Sequence, residues 1–215
     1  MLKRNALNIM IIGVALFLLG SCHNRNEKPI SYVIDRMENA LYKQNNPARA
    51  DSLCDVVLAS DSIPPFFSSQ AVYVKRLNEK WAEGIMIAQE GLANDVGHDD
   101  SLKILNQLME VLAESGRLKE AIECGITLSQ KLPSSDGRRF GILCRVGDLY
   151  FDIANYDSAL IYHKLAFKIA QEKKDQFSER WAANELFFDY LLLGVPDSSD
   201  FYFKKHKLDK LHGPD

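Results

Sequence analysis

The sequence predicts an all-α chain, a solenoid of about five helical hairpins, and three observations carry that expectation. Alanine, leucine, lysine and glutamate recur throughout, Gly (12) and Pro (7) are sparse among the 215 residues, and no window is dominated by β-branched residues, a balance that favours helices. Within residues 143–166, Leu143, Val146, Gly147 and Tyr150 follow helical spacing, Asn155 interrupts it, and Ala159, Tyr162 and Ala166 resume it. That is the pattern of two amphipathic helices joined by a tight turn. A small residue also recurs at comparable places: Ala50, Gly84, Ala121, Ala159 and Ser199, separated by 34, 37, 38 and 40 residues.

These markers order the elements. The first hairpin is expected from Ile34, Met37 and Leu41, then Ala50, Cys54 and Val57. The second pairs a helix over residues 66–77 with one carrying Trp81, Gly84, Ala88 and Leu92. Leu105, Leu108 and Leu112, the turn glycine Gly116, then Leu118, Ala121 and Leu128, closed by Pro133, make the third. Residues 143–166 are the fourth; Ala183, Leu186, Phe187, Tyr190, Gly194, Ser199 and Phe203 make the fifth. One such hairpin cannot bury its apolar face alone, so neighbours must stack.

The spacing of the fourth unit resembles the tetratricopeptide repeat, whose period is about 34 residues. Leu143, Gly147, Tyr150, Ala159, Ala166, Ala121 and Gly116 are the expected repeat-packing positions. His163 departs from the pattern, where an aromatic is usual, and so does Gln171, where proline is usual. The resemblance implies that partners dock on the concave face made by the first helices. Carried over residue by residue, that groove presents Tyr32, Asp35, Asn39 and Tyr42, then Ser69, Tyr73 and Arg76. Lys103, Asn106, Glu110 and Glu114 follow, then Cys144, Asp148 and Asp152, and finally Asn184 and Phe188. Glu110, Glu114, Asp148 and Asp152 would form an acidic stripe, suited to basic or hydrogen-bonding segments.

Ahead of the repeats, Lys3 and Arg4 form a basic head, residues 9–19 a nearly unbroken apolar run, and Leu19-Gly20-Ser21-Cys22 closes it. The run is shorter than the ~20 residues of a membrane-spanning helix. The segment resembles a bacterial lipoprotein signal sequence with its lipobox. The resemblance implies cleavage before Cys22 and acylation of the Cys22 thiol by a diacylglyceryl group; two or more chains anchor stably at about 0.8 kcal/mol per methylene. No aspartate and no acidic cluster follows Cys22, so the expected address is the outer membrane, facing the periplasm. The expected organisation is a signal peptide over residues 1–21, a lipidated polar tether over 22–30 and a repeat domain over 31–212.

With Lys3 and Arg4 removed, 24 basic residues face 29 acidic ones, a net charge of −5, with no general pull toward nucleic acid. Cys54, Cys124 and Cys144 remain after Cys22, an odd count that points to small buried residues; a Cys124–Cys144 disulfide is the alternative. No phosphate loop, nucleophile elbow or His-Glu-x-x-His is present, and none of His23, His98, His163, His206 and His212 lies three or four residues from another. No catalytic role, cofactor or metal is therefore expected, and His163 reads as a core residue. The expected function is a lipid-anchored periplasmic scaffold or adaptor for an envelope protein or peptide. Two alternatives stay open: a sensory input module, resembling the repeat half of Bacteroidota membrane-bound regulators, and a glycan-uptake accessory lipoprotein.

Overall fold

The computed structural model describes residues 29–94 and 96–207. The expected signal peptide and Cys22, most of the tether, and the stretch after Lys207 lie outside the described residues. Ten helices are described and no strand: α1 Ile30–Glu38, α2 Pro47–Leu58, α3 Phe67–Leu77, α4 Trp81–Ala93, α5 His98–Glu114, α6 Leu118–Lys131, α7 Arg138–Asp152, α8 Tyr156–Lys173, α9 Gln176–Leu192 and α10 Pro196–His206. They form five hairpins, each with the limits the small-residue markers imply. Two compact units divide them at Ser60 and Asp61, the first with α1 and α2 and the second with α3 to α10.

Local chemistry sets the helix ends. Asn46 accepts from the Arg49 N–H at 3.0 Å with Pro47 at the first helical position, and Asn155 accepts from the Ser158 N–H at 3.2 Å. Asp175 accepts from the Phe177 and Ser178 N–H groups. Each satisfies donors that have no partner inside the helix. The interruption at Asn155 is thus an N-cap, and α6 ends at Lys131, two residues before Pro133.

The five hairpin turns share one geometry. Each has three residues, and the middle one takes a left-handed conformation: Asn45, Glu79, Gly116, Ala154 and Gly194. In the second to fifth turns the next N–H reaches back five residues at 2.9 Å, as from Lys80 to the Lys75 carbonyl and from Asn155 to that of Tyr150. This is the Schellman closure of a helix C-terminus. The left-handed residue stands five positions before the small marker in every hairpin, which explains why the marker keeps the repeat's spacing. Gly116 is exposed, and a Cβ there would meet nothing within 4 Å. Its role is therefore the turn rather than the repeat packing expected of it. Replacing Gly116 with alanine should cost about 1 kcal/mol through the left-handed backbone alone, read as a lower urea midpoint.

In the first unit, α1 continues into a π-helical turn, Asn39–Lys43. The wider turn shifts the inward register, so Ala40 rather than the expected Leu41 is buried beside Ile34 and Met37. The Asn46 N–H accordingly reaches back six residues, to the Ala40 carbonyl.

In the second unit, each helix packs on the one before and the one after it, α3 also packs on α5, and α7 touches α9. Phe67, Val72, Ile104, Met109, Leu128, Leu149 and Leu186 fill the interior. Ala121, Ala159 and Ala166 are fully buried at helix crossings, where a larger side chain would separate the backbones. Tyr150 stacks on Tyr162 with centroids 5.4 Å apart, and the pair recurs forty residues on as Tyr190 on Tyr202 at 5.8 Å. Cys54, Cys124 and Cys144 are buried free thiols. The Cys124 thiol donates to the Leu105 carbonyl at 3.3 Å, and burial pushes its pKa up to about 11. Among the described residues no helix is long and apolar enough to cross a membrane.

Candidate functional site

On the second unit, charged side chains link the first helices of successive hairpins. Arg76 on α3 lies over the Tyr73 ring at 5.3 Å and approaches Glu110 and Glu114 of α5 at 3.9 and 3.7 Å. Arg145 on α7 grips Glu110 from the other side at 3.1 Å. Asp148, one turn beyond Cys144, meets His163 of α8. Tyr73, Arg76, Asn106, Glu110, Asp148 and Asn184 are all partly exposed, and Glu114, Asp152 and Phe188 are exposed. The expected groove residues of this unit are thus accessible to solvent, with one exception. Cys144 is buried against Leu143 and Ala166.

The acidic stripe is corrected by the same contacts. Glu110 and Glu114 are met by Arg76, Glu110 also by Arg145, and Asp148 by His163, so the face alternates in sign. Arg145 was not among the expected groove residues; it contributes because its long side chain reaches from α7 to Glu110 on α5. Lys103 is occupied locally by Asp99 at 2.9 Å and Asp100 at 3.0 Å. In the first unit, Tyr32, Asp35 and Tyr42 are exposed, while Asn39 accepts from the Gln44 amide at 2.8 Å.

The densest chemistry lies where α7, α8 and α9 meet. His163 is 1% exposed, as its packing position implies, but it is not an apolar stand-in. Its Nδ1 lies 2.7 Å from Oδ2 of Asp189, which is fully buried, and its Nε2 lies 3.3 Å from Oδ1 of Asp148. Burial alone would lower the imidazole pKa. The hydrogen bonds and charges of Asp148 and Asp189 outweigh it and raise the value to about 9, so His163 carries a proton on both nitrogens at neutral pH. Glu185 on α9 joins the cluster; burial, then the Asp148 charge, push its carboxyl upward, and His163 offsets part of this. Burial and the same carboxylates hold the Cys144 thiol well above its ordinary range.

Gly147 makes this possible. A Cβ at that position would stand 2.2 Å from His163 Nε2. The packing expected at Gly147 is thus against the His163 imidazole. Without any paired histidines, the ligand atoms of Asp148, His163 and Glu185 all lie within 4.8 Å of one another. Histidine spacing missed this cluster because its members come from three helices. A polar residue at an aromatic packing position was the one signal, since a buried imidazole needs partners.

No protein-family model matches the chain, and no curated protein matches it in sequence. Solved structures do match its fold. A Podosopora anserina putative kinesin light chain with nearly identical TPR-like repeats superposes with a TM-score of 0.71 at 15% identity, over 87% of this chain and 100% of that one. BtubC from P. vanneervenii gives 0.70 at 14%, over 86% and 84%. MamA of AMB-1 gives 0.63 at 17%, over 86% and 93%. The fold is therefore that of tetratricopeptide-type helical repeats.

Proposed function

We propose that this chain is a protein-interaction scaffold that receives a segment of an envelope protein on the first-helix face of its second unit. In this reading it works from the outer membrane, facing the periplasm, on acyl chains carried by Cys22. The docking part rests on one observation: Tyr73, Arg76, Glu110 and Arg145 are accessible and joined in alternating sign from α3 to α7, with Asp148 and Asp152 accessible further along α7. Aromatic and arginine side chains of this kind serve as anchors for a partner. Alternating charge suits a segment rich in hydrogen-bonding groups and of mixed sign, more than a uniformly basic one. The anchoring part rests on Leu19-Gly20-Ser21-Cys22. The scaffold is preferred over glycan capture because the turns inside the second unit's hairpins have three residues each and carry no binding loop.

The test is photo-crosslinking in the cell from a probe at Tyr73, with a control probe at Lys168 on the exposed face of α8. A discrete adduct from position 73, absent from position 168, is expected. Equal or no adducts at the two positions would remove the docking face. Labelled palmitate should enter the wild-type chain and not Cys22→Ser; labelling of neither would remove the anchor while leaving the docking result intact.

A further inference from the structure

We infer that Asp148, His163 and Glu185 form a site for one divalent transition-metal ion of the zinc class, with Asp189 as the positioning residue behind the imidazole. The three ligand atoms come from three successive helices, α7, α8 and α9, and lie within 4.8 Å of one another. Tetrahedral coordination at about 2.0–2.2 Å places ligand atoms roughly 3.3 Å apart. Oδ1 of Asp148 and Nε2 of His163 are already at 3.3 Å. The Glu185 carboxylate lies within 4.8 Å of both and has only a short distance to close.

The surroundings are those of a held ligand. Asp189 accepts from Nδ1–H at 2.7 Å, which fixes the ring and leaves Nε2 to face the two remaining carboxylates. This is the carboxylate–histidine–metal arrangement in which the outer carboxylate orients the ligand and raises its basicity. The other oxygen of Asp189, Oδ1, is buried and has no hydrogen-bond partner among the described residues. Three carboxylates thus surround one imidazole, a set of oxygen acceptors that a dication would engage. On binding, the Nε2 proton leaves to solvent, and its nitrogen lone pair and one oxygen from each of Asp148 and Glu185 become the ligands. Gly147 supplies the clearance at Nε2 that any side chain would remove. One nitrogen and two oxygens suit zinc and its first-row neighbours; calcium and magnesium demand more oxygen ligands.

The test is titration of the tag-free full-length chain, first stripped with chelator, with Zn2+ in a calorimeter, and separately with Ca2+. One Zn2+ per chain is expected, with proton release and a rise in the thermal midpoint, and no calcium heat. Glu185→Gln, which keeps the side-chain shape, should weaken Zn2+ binding at least about tenfold, with an unchanged helical spectrum. Asp189→Asn should weaken it by a similar factor without removing a ligand. Absence of stoichiometric binding by the wild-type chain would overturn the inference. So would Zn2+ binding that Glu185→Gln leaves unchanged, since the ion would then sit elsewhere.

Discussion

Replacing Gly147 with alanine should lower stability by about 3 kcal/mol, and replacing it with tryptophan should unfold the fourth hairpin with its neighbours. Alanine is ordinarily the milder change in a helix, more favourable than glycine by up to about 1 kcal/mol. Here the added methyl group would meet three ring atoms of His163 between 2.2 and 2.9 Å away. The ring cannot swing aside cheaply, because Asp189 holds one nitrogen at 2.7 Å and Asp148 the other at 3.3 Å. The steric reading makes a further demand: in Gly147→Ala/His163→Ala the methyl group has room, so the double variant should be no less stable than His163→Ala alone. A double-mutant cycle by urea unfolding measures that coupling. Asp148→Ala should keep the helical content of the wild type, since it clears space rather than filling it. An unchanged midpoint for Gly147→Ala would mean that helix α8 is not seated against α7 as described.

The contrast between Gly147 and the turn residues shows which parts of the molecule are legible in the sequence. The hairpins were, because the small markers from Ala50 to Ser199 sit at helix crossings, where only size matters and a side chain reports it directly. The turns were only half legible. Gly116 and Gly194 announce a left-handed residue, whereas Glu79 and Ala154 adopt the same geometry with no such signal, held by the Schellman bonds of the flanking helices. The signs of the charges along the first helices were not legible. Arg145 and Glu110 are 35 residues apart, and pairing across that distance depends on how α5 and α7 lie. The cluster at His163 was hidden for the same reason. Asp189 is 26 positions downstream, on a helix whose pattern gave no cause to single it out.

Removing Asp189 tests that cluster from the opposite direction, through charge instead of volume. Asp189→Ala should cost about 3 kcal/mol at pH 6, because breaking one side of a buried ion pair leaves the other without its partner. The sign of the pH dependence follows from His163, measured in chelator so that protons alone are bound. Its pKa in the folded chain is raised to about 9, against about 6.5 when unfolded. The groups facing it are Asp148 from α7 and Asp189 and Glu185 from α9, with the un-ionised Cys144 thiol nearby. A raised value means that the folded chain binds the proton more tightly, so this stabilisation is complete below pH 6.5. It is lost as the pH climbs through 9, by up to about 3 kcal/mol. Wild-type unfolding midpoints should therefore fall between pH 6.5 and 9. In Asp189→Ala, with one of its two carboxylate partners gone and the imidazole still buried, His163 should hold its proton less tightly, and the fall over that interval should flatten. Gly116→Ala, which lowers stability through the backbone alone, should keep the wild-type slope. A fall of equal steepness in wild type and Asp189→Ala would assign the pH dependence to other groups, and the buried pair would then be neutral rather than ionic.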